Sequence, residues 1–451
     1  MTTGAHQGQA SGGAGRGGRA PVWLRGGSTT ARRWTIALAA LAAASAIAGL
    51  IAFFHARDTQ SALAYVAWFL LATGRDDSWK PMILAVEQLR AHPEVPVYSK
   101  LFFAEHLKFQ YPISSLLLPD LLQRATGASW NAVTAMLNAV GWLAVWATGI
   151  ASWRLLAGSL RVAGGGAGEG AERWLLFGAA LALTLLFYPL TRSYVLGQIE
   201  TPMTLLAAIA LLAWRDGHKG AAGVCLGLCC AAEPQWGLVL LWGALRREWS
   251  FVGAGAAVVA VLALIAGAMY GFAHYVDYAG VLNFLSRHGE SFAPNQSVNG
   301  LLHRLFGEGN NLQWVADAFP PFDPIVYAAT VASSAAMLGA ALIYRWRERA
   351  GAVDLALMLL SLTIASPIAW EHHYGVLLPI FALAAPLAIA ARSLGRWTVP
   401  ALVAAFALAS ERIDLTDRLA HTWANPLQSY LFFAGLIVLA LLYRLSAYAA
   451  L

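Results

Sequence analysis

The chain has 451 residues, of which 59% are hydrophobic and only 12% charged, and its mean hydropathy is +0.58. A soluble domain carries about twice that share of charge, so the composition excludes an ordinary water-soluble enzyme. The net charge of +6 comes from Lys and Arg spread over short connections between apolar runs, which encodes membrane topology and does not indicate nucleic acid as a partner.

Apolar runs rich in Leu and Ala dominate the chain and are long enough to cross a bilayer core about 30 Å thick. They predict an all-α polytopic integral membrane protein with about 10–12 transmembrane helices. The predicted spans lie near residues 34–54, 129–152, 174–190, 200–214, 250–273, 325–344, 355–369, 375–391, 398–411 and 428–446.

The N-terminal segment before the first span is rich in Gly, Ala and Arg, and residues 1–33 are predicted to be a disordered basic cytoplasmic tail. Residues 34–451 are predicted to form one transmembrane domain. The first span is too long and too far from the N-terminus for a typical cleaved signal peptide, which indicates a signal anchor. Because five arginines precede it, we expect a cytoplasmic N-terminus.

Alternating the connections from that start places more than half of the Lys and Arg residues inside and both termini in the cytoplasm. The long loops near 55–128 and 274–324 then face outward. The protein is therefore expected in the cell membrane, with its polar chemistry on the periplasmic or extracytoplasmic face.

Residues 221–245 interrupt this alternation, because the run is apolar yet has basic residues on both flanks. Pro234 disfavours a helical conformation at Glu233. The sequence predicts two short helices that meet within the membrane depth, with a single span as the alternative. The three cysteines lie in this run and are expected to be small packed residues rather than reactive thiols.

Paired carboxylates open the first outer loop at Asp76 and Asp77. Paired acids near a membrane cavity can act as a general base or bind a metal, and they can equally cap a helix or stay solvated. The following segment "FQYPISSLLLPDLL" is amphipathic and interrupted by proline, so we expect it to lie along the membrane interface.

Other candidate ligands cluster at the outer ends of the predicted spans. Arg192, Tyr194 and Gln198 lie in one short turn, where interfacial anchoring is the alternative role. Asn295 and Gln296 belong to an amide-rich loop that suits hydroxyl-rich ligands, because amides both donate and accept hydrogen bonds. An ordinary surface loop is the alternative there.

Glu371, His372 and His373 are consecutive between two apolar runs. Three consecutive residues of an α-helix spread over about 200°, so they are predicted not to bind one ion from one face. A metal would need other ligands, such as Asp76 or Asp77, and no metal site is predicted. Imidazoles at this position could instead donate hydrogen bonds to a phosphate.

Taken in order, five segments carry a resemblance to a known family: "DDSWKPMILAVEQL", "GQIETPMTLLAAIALLAW", "AAEPQWGLVLLWGALRREW", "NQSVNGLLHRL" and "SPIAWEHHYGVLLP". From about residue 33 onward the chain resembles glycosyltransferase family 87, the group of polyprenyl-phosphomannose-dependent mannosyltransferases with the GT-C membrane fold.

The resemblance implies a membrane hexosyltransferase that moves mannose from a polyprenyl-phosphate donor to a lipid or glycan acceptor. Membrane lipids are the other expected partners, and no cofactor is expected. It implies an acidic base, which maps to Asp77 better than to Asp76. It also implies a histidine at the site, which maps to His372 or His373 with Glu371 orienting the ring. Glu233 stands where the family commonly has Lys, which weakens the transfer of donor contacts to this position.

A transporter or lipid-linked-sugar flippase is the alternative from another class, because proton-coupled carriers also use acids and histidines in membrane segments. Carriers tend to show internal repeats with sites near the midplane. The sequence shows no repeat, and its polar motifs gather on one outer face, which favours the transferase.

Overall fold

The protein is described by a computed structural model that covers residues 27–56, 60–307, 309–315 and 318–448. In these residues all regular elements are helical, and the one extended pairing is an isolated antiparallel bridge between Asn295 and Trp370. The predicted tail falls mostly outside them, since the first helix begins at Gly27.

Besides shorter 3₁₀ and π-helical segments in the connections, the described residues contain eighteen α-helices. They are α1 (Gly27–Ala56), α2 (Ala62–Leu70), α3 (Trp79–Ala91), α4 (Leu117–Thr126), α5 (Trp130–Val162), α6 (Gly170–Leu185), α7 (Tyr188–Leu196), α8 (Glu200–Arg215), α9 (Lys219–Ala232), α10 (Gly237–Leu245), α11 (Trp249–Tyr270), α12 (Ala273–His288), α13 (Val298–Phe306), α14 (Pro324–Ile343), α15 (Ala352–Ala365), α16 (Leu377–Ala390), α17 (Thr398–Ser410) and α18 (Tyr430–Tyr448).

Six helical segments in the described chain are long and apolar enough to cross a membrane. They are Thr30–Phe54, Trp130–Val162, Trp249–Tyr270, Pro324–Ile343, Glu371–Ala390 and Asn425–Ala447. A seventh forms if α6 and α7, which meet at a 56° bend, count as one span. The prediction of an all-α polytopic membrane protein is therefore confirmed.

Each of the ten predicted spans coincides with a helix, but some of these helices are short. The 14 residues of α15 and the 13 of α17 rise only about 20 Å each, less than the bilayer core. The predicted number of 10–12 spans thus stays a prediction.

The predicted broken helix pair is confirmed. Helix α9 ends at Ala232, Pro234–Trp236 form a single 3₁₀ turn, and α10 begins at Gly237. Proline at the first position of that turn loses no helical hydrogen bond, which explains why the break falls there. That both flanks lie on the cytoplasmic side remains a prediction.

Helix α9 packs on α11 through glycines spaced four residues apart. A Cβ atom built on Gly223 would lie 2.2 Å from the carbonyl oxygen of Phe251, and one on Gly227 would lie 2.7 Å from that of Gly255. Small residues at this spacing let two backbones approach closely in a membrane. Cys225, Cys229 and Cys230 lie buried on this helix with free thiols.

The segment between α2 and α5, predicted to be the first outer loop, is anchored to the helical bundle by a buried carboxylate. Asp120 of α4 is fully buried and accepts hydrogen bonds from Tyr270 at 2.6 Å, from Arg124 at 2.9 Å and from Arg90. These contacts join α3 and α4 to the end of α11. A second contact joins the two outer loops, because Lys108 forms an ion pair with Glu290 at 3.2 Å.

Replacing Gly223 with Ala is expected to destabilise the protein by about 1–3 kcal/mol, because the added methyl group meets backbone atoms that cannot move without separating α9 from α11. The measurement is thermal unfolding of the purified protein in detergent micelles. Gly253→Ala is the matched control, since a Cβ atom there meets no atom within 4 Å. Equal stability of the two variants would contradict the packing argument.

Candidate active site

The backbone of the first outer loop pairs with the turn between α7 and α8. The N–H groups of Arg75, Asp77 and Ser78 donate to the carbonyl oxygens of Val195, Leu196 and Gly197, at 2.9, 3.0 and 3.2 Å in that order. Gly197 has a φ of +72°, and a Cβ atom on it would lie 2.1 Å from the oxygen of Arg75. Only glycine meets both requirements, so this residue fixes how closely the loop approaches.

Asp77 is oriented by the side chain that follows this turn. The Gln198 amide donates to its carboxylate at 2.5 Å, and Ser78 holds the amide by donating to its oxygen at 2.6 Å. Both aspartates are exposed, and no described side chain donates to the carboxylate of Asp76. The two predicted acids therefore differ, because only Asp77 is held in one orientation by the turn.

The residue Asp77 is exposed, but protein atoms and charged side chains surround much of its carboxylate. Desolvation by those atoms raises the pKa of Asp77, and the negative charge of Glu200 raises it further while Arg192 opposes the shift. The three side chains thus lie close enough for their charges to interact, which places Asp77 at the edge of the groups described next.

A buried ion pair joins α7 to the turn that precedes α16. Arg192 lies 3.1 Å from the Glu371 carboxylate and also donates to the Tyr188 hydroxyl, one helical turn earlier. Tyr188 and Tyr430 donate to the two oxygens of Glu371 at 2.9 and 3.2 Å. Both charged residues are at most 9% exposed, so each needs the other to be tolerated there.

The two histidines face a different carboxylate. Residues Glu371–Val376 form a 3₁₀ helix, and the Nε2 atoms of His373 and His372 lie 3.4 and 4.0 Å from the carboxylate of Glu200. The prediction that the three consecutive residues do not converge on one point holds for Glu371, which faces Arg192, although both imidazoles reach Glu200. The carboxylate beside the imidazoles is Glu200, at the start of α8, and not Glu371.

Asn295 stabilises the non-helical backbone around this segment. Its amide nitrogen donates to the carbonyl oxygens of Glu290 and Pro367, and its oxygen accepts from the N–H of Ala369 at 2.9 Å. The residue is fully buried. Its hydrogen-bonding groups are thus engaged with backbone, and a role in binding substrate stays a prediction.

Gln296, next to the bridge between Asn295 and Trp370, also bonds to backbone groups through its side chain. Its amide nitrogen donates to Ala293 and Gln428, and its oxygen accepts from the N–H groups of Leu431 and Phe432. It therefore ties the amide-rich loop to the start of α18. Gln296 is fully buried as well, and its predicted contact with substrate is likewise not tested by this arrangement.

Tyr194 lies away from these polar groups. It is 2% exposed, and its ring packs edge-on against Phe69 at a centroid distance of 5.2 Å. Its position on α7 is fixed by aromatic packing with α2, and the role in binding predicted for it has no polar contact in support among the described residues.

Two clefts flank the 3₁₀ segment. One encloses about 450 Å³ and is lined by Glu200, Glu233 and His373 together with apolar side chains, namely Met203, Trp236, Leu362 and Val376. The other encloses about 510 Å³ and is more polar. It is lined by Arg192, Glu371, Arg412, Thr416, Gln428 and Tyr430 among others.

Sequence reasoning missed Glu200 and Glu233 as members of this site. Glu200 looked like an ordinary helix start, and Glu233 was noted only as a departure from a family pattern. Their positions beside apolar membrane segments indicate a functional role, because ionisable residues there are by default functional. Both were preceded by a helix break, which also indicates a cavity.

The match to known proteins covers the middle of the chain. The family model for glycosyltransferase family 87 matches residues 109–369, which include Arg192, Glu200 and Glu233. Asp76 and Asp77 precede the matched region, and Glu371–His373 follow it directly.

A curated relative gives the same indication. Over 241 residues the chain is 27% identical to the polyprenol-phosphate-mannose-dependent alpha-(1-2)-phosphatidylinositol mannoside mannosyltransferase of Mycolicibacterium smegmatis, and the alignment spans 52% of each protein. The chain thus matches about half the length of that relative. No solved structure matches. Because the family model covers more than half of its residues, this chain belongs to glycosyltransferase family 87.

Proposed function

We propose that this protein transfers a hexose, with mannose as the first candidate, from a polyprenyl-phosphate donor to a lipid or glycan acceptor. The family supports glycosyl transfer, and the printed name of the relative supports a polyprenol-phosphate-mannose donor. We place the reaction on the extracytoplasmic face, because the long polar loops lie there in the topology that the basic residues predict.

Asp77 is the proposed general base, and the observation that carries this proposal is its orientation by Gln198. A base must hold its carboxylate within hydrogen-bond reach of the acceptor hydroxyl whose proton it takes. The backbone pairing of residues 75–78 with the turn at Gly197 supplies that rigidity. Asp76, which has no such contact, is the less suitable base.

The reaction proposed is a single displacement at the anomeric carbon. The acceptor oxygen forms the new bond as its proton moves to Asp77, and the bond to the lipid phosphate oxygen breaks with its electron pair. The anomeric configuration is inverted. Negative charge then grows on the leaving phosphate, and cationic or N–H groups that face it stabilise the transition state.

Arg192 and the two imidazoles are the proposed partners of that phosphate. Arg192 is held in place by Glu371 and Tyr188, so little reorganisation is needed when charge develops near it. The cleft with apolar walls suits the isoprenoid end of the donor, whereas the polar cleft beside Arg192 and Gln428 suits a hydroxyl-rich acceptor.

Replacing Asp77 with Asn is expected to lower the rate of sugar transfer about 10²- to 10⁴-fold, because the amide cannot accept the proton. The assay measures transfer of labelled mannose from polyprenyl-phosphate mannose to endogenous lipid in membranes that contain the variant. Asp76→Asn is the matched control and is expected to stay within a few-fold of wild type.

Full activity in both variants would show that neither aspartate is the base. Proton-dependent sugar uptake by liposomes that contain the wild-type protein, without any transfer, would contradict the proposed function itself and favour a carrier.

The transfer rate is expected to fall as the pH is lowered through the raised pKa of Asp77, since only the ionised carboxylate accepts a proton. Burial raises this pKa, so the loss should begin at a higher pH than for a free aspartate. Asp76 contributes to the same shift, and Asp76→Asn should therefore move the acidic limb of the pH profile to lower pH. An unchanged acidic limb in that variant would contradict the assignment.

The proposed orientation is open to cysteine labelling, because the three native cysteines are buried and should react little. A membrane-impermeant maleimide added to intact cells is expected to label Gln313→Cys in the second outer loop but not Arg349→Cys before α15. Both positions are exposed. Labelling with the opposite preference would overturn the predicted topology.

A further inference from the structure

Glu200, His372 and His373 form a compact cluster of metal-ligating side chains at the floor of the cleft with apolar walls. One carboxylate oxygen and one nitrogen from each imidazole all lie within 4.8 Å of one another. Two elements supply them, since Glu200 begins α8 and the histidines belong to the 3₁₀ turn before α16.

An independent observation points to a missing partner. Glu200 is 4% exposed, yet its Oε2 atom accepts no hydrogen bond. His372 lies 4.0 Å from that oxygen, which is too far for a hydrogen bond. A buried carboxylate oxygen without a donor is costly, and a cation seated between these atoms would remove the cost.

Charge in the cleft also favours a cation. Glu233 reaches the same cleft from the break between α9 and α10 and interacts with both Glu200 and His373. The Arg192 guanidinium is paired with Glu371 on the other side of the segment. Two carboxylates in one cleft attract a cation, and their charge must be offset by such an ion or by protons before an anionic substrate enters.

The donor set selects the class of metal. Imidazole nitrogens with a carboxylate suit zinc and other first-row transition ions, whereas magnesium and calcium prefer oxygen ligands alone. Zinc lies about 2.0–2.1 Å from such ligands, which puts tetrahedral ligand atoms about 3.3 Å apart. The 3.4 Å between His373 and one Glu200 oxygen already fits, and ligand atoms that lie up to 4.8 Å apart would have to close by at most about 1.5 Å.

We propose that Glu200, His372 and His373 bind one divalent first-row transition metal ion, with Glu233 close enough to join the coordination sphere. Three protein ligands leave a position that faces the cleft, as in metal sites that also hold a substrate. Binding of the ion does not depend on the proposed function. Its use as a partner of the donor phosphate does rest on that function.

The test uses full-length protein purified in detergent without a polyhistidine tag and stripped with a chelator. Zinc is added, excess ion is removed by desalting, and the metal content per chain is measured by mass spectrometry. Wild type and His92→Ala, which removes an exposed histidine, are expected to retain about one zinc ion per chain. His373→Ala and Glu200→Gln are expected to retain less than a tenth of that amount.

Cobalt substitution provides a second measurement on the wild-type protein alone, in case a variant does not fold. Cobalt is expected to give a visible ligand-field absorption that added zinc abolishes. Failure of wild type to retain zinc or cobalt, or equal retention by His373→Ala and His92→Ala, would overturn the site.

The transfer assay separates this inference from the proposed function. Asp77→Asn is expected to bind zinc like wild type while it loses transfer. Stripped wild-type protein is expected to lose transfer at least tenfold and to regain it with zinc or manganese. If the protein retains metal but stripping does not change transfer, the ion is not a partner of the donor phosphate. Loss of transfer in Asp77→Asn would then still support the proposed function.

Discussion

Backbone N–H and carbonyl groups that leave a helix inside a membrane protein must find partners within the protein, and the whole site depends on this constraint. The cleft exists because several helices break at its level, at the α6–α7 bend, at Gly197, at Pro234 and before α16. Each break frees backbone groups and also turns side chains toward the cavity. The Asn295 amide satisfies such groups just before the 3₁₀ turn, and the Gln296 amide satisfies others at the start of α18.

The same breaks determine how buried charge is distributed. Glu371 is neutralised by an arginine and two tyrosine hydroxyls, which makes it a closed structural unit. Glu200 has two imidazoles and the Glu233 carboxyl group beside it but no arginine, and one of its oxygens accepts no hydrogen bond, so its environment is open to a ligand. Asp77 lies at the rim, held by an amide, where a carboxylate can exchange protons with a substrate. Three carboxylates in one region thus differ in chemistry because their partners differ.

Much of the fold could be predicted from the sequence, because hydrophobicity and the positions of proline act locally. Apolar runs predicted the helices, and Pro234 predicted the break between α9 and α10. Within the site, the polar motifs singled out the segments that bear Asp77, Arg192 and Glu371–His373, whose roles stay predictions. These inferences needed only composition and backbone conformational preferences.

The remaining features depend on contacts between distant segments. Which carboxylate faces the histidines is decided by packing of α8 against the 3₁₀ turn, and no local pattern distinguishes Glu200 from Glu371 in that respect. That His372 and His373 both reach Glu200 also depends on this packing, because consecutive residues of a 3₁₀ helix point in different directions. The amides of Asn295 and Gln296 resemble ligand-binding groups in the sequence because most of their backbone partners lie more than 70 residues away.

Gly197 also limits the routes by which a lipid can reach the site. Because the loop that bears Asp77 is seated directly on the α7–α8 turn, the proposed base and Arg192 belong to one rigid unit. A lipid that entered by separating this loop from α7 would displace the Asp77 carboxylate. Entry beside Trp236 and the α9–α10 break, which border the cleft with apolar walls, would leave this loop in place.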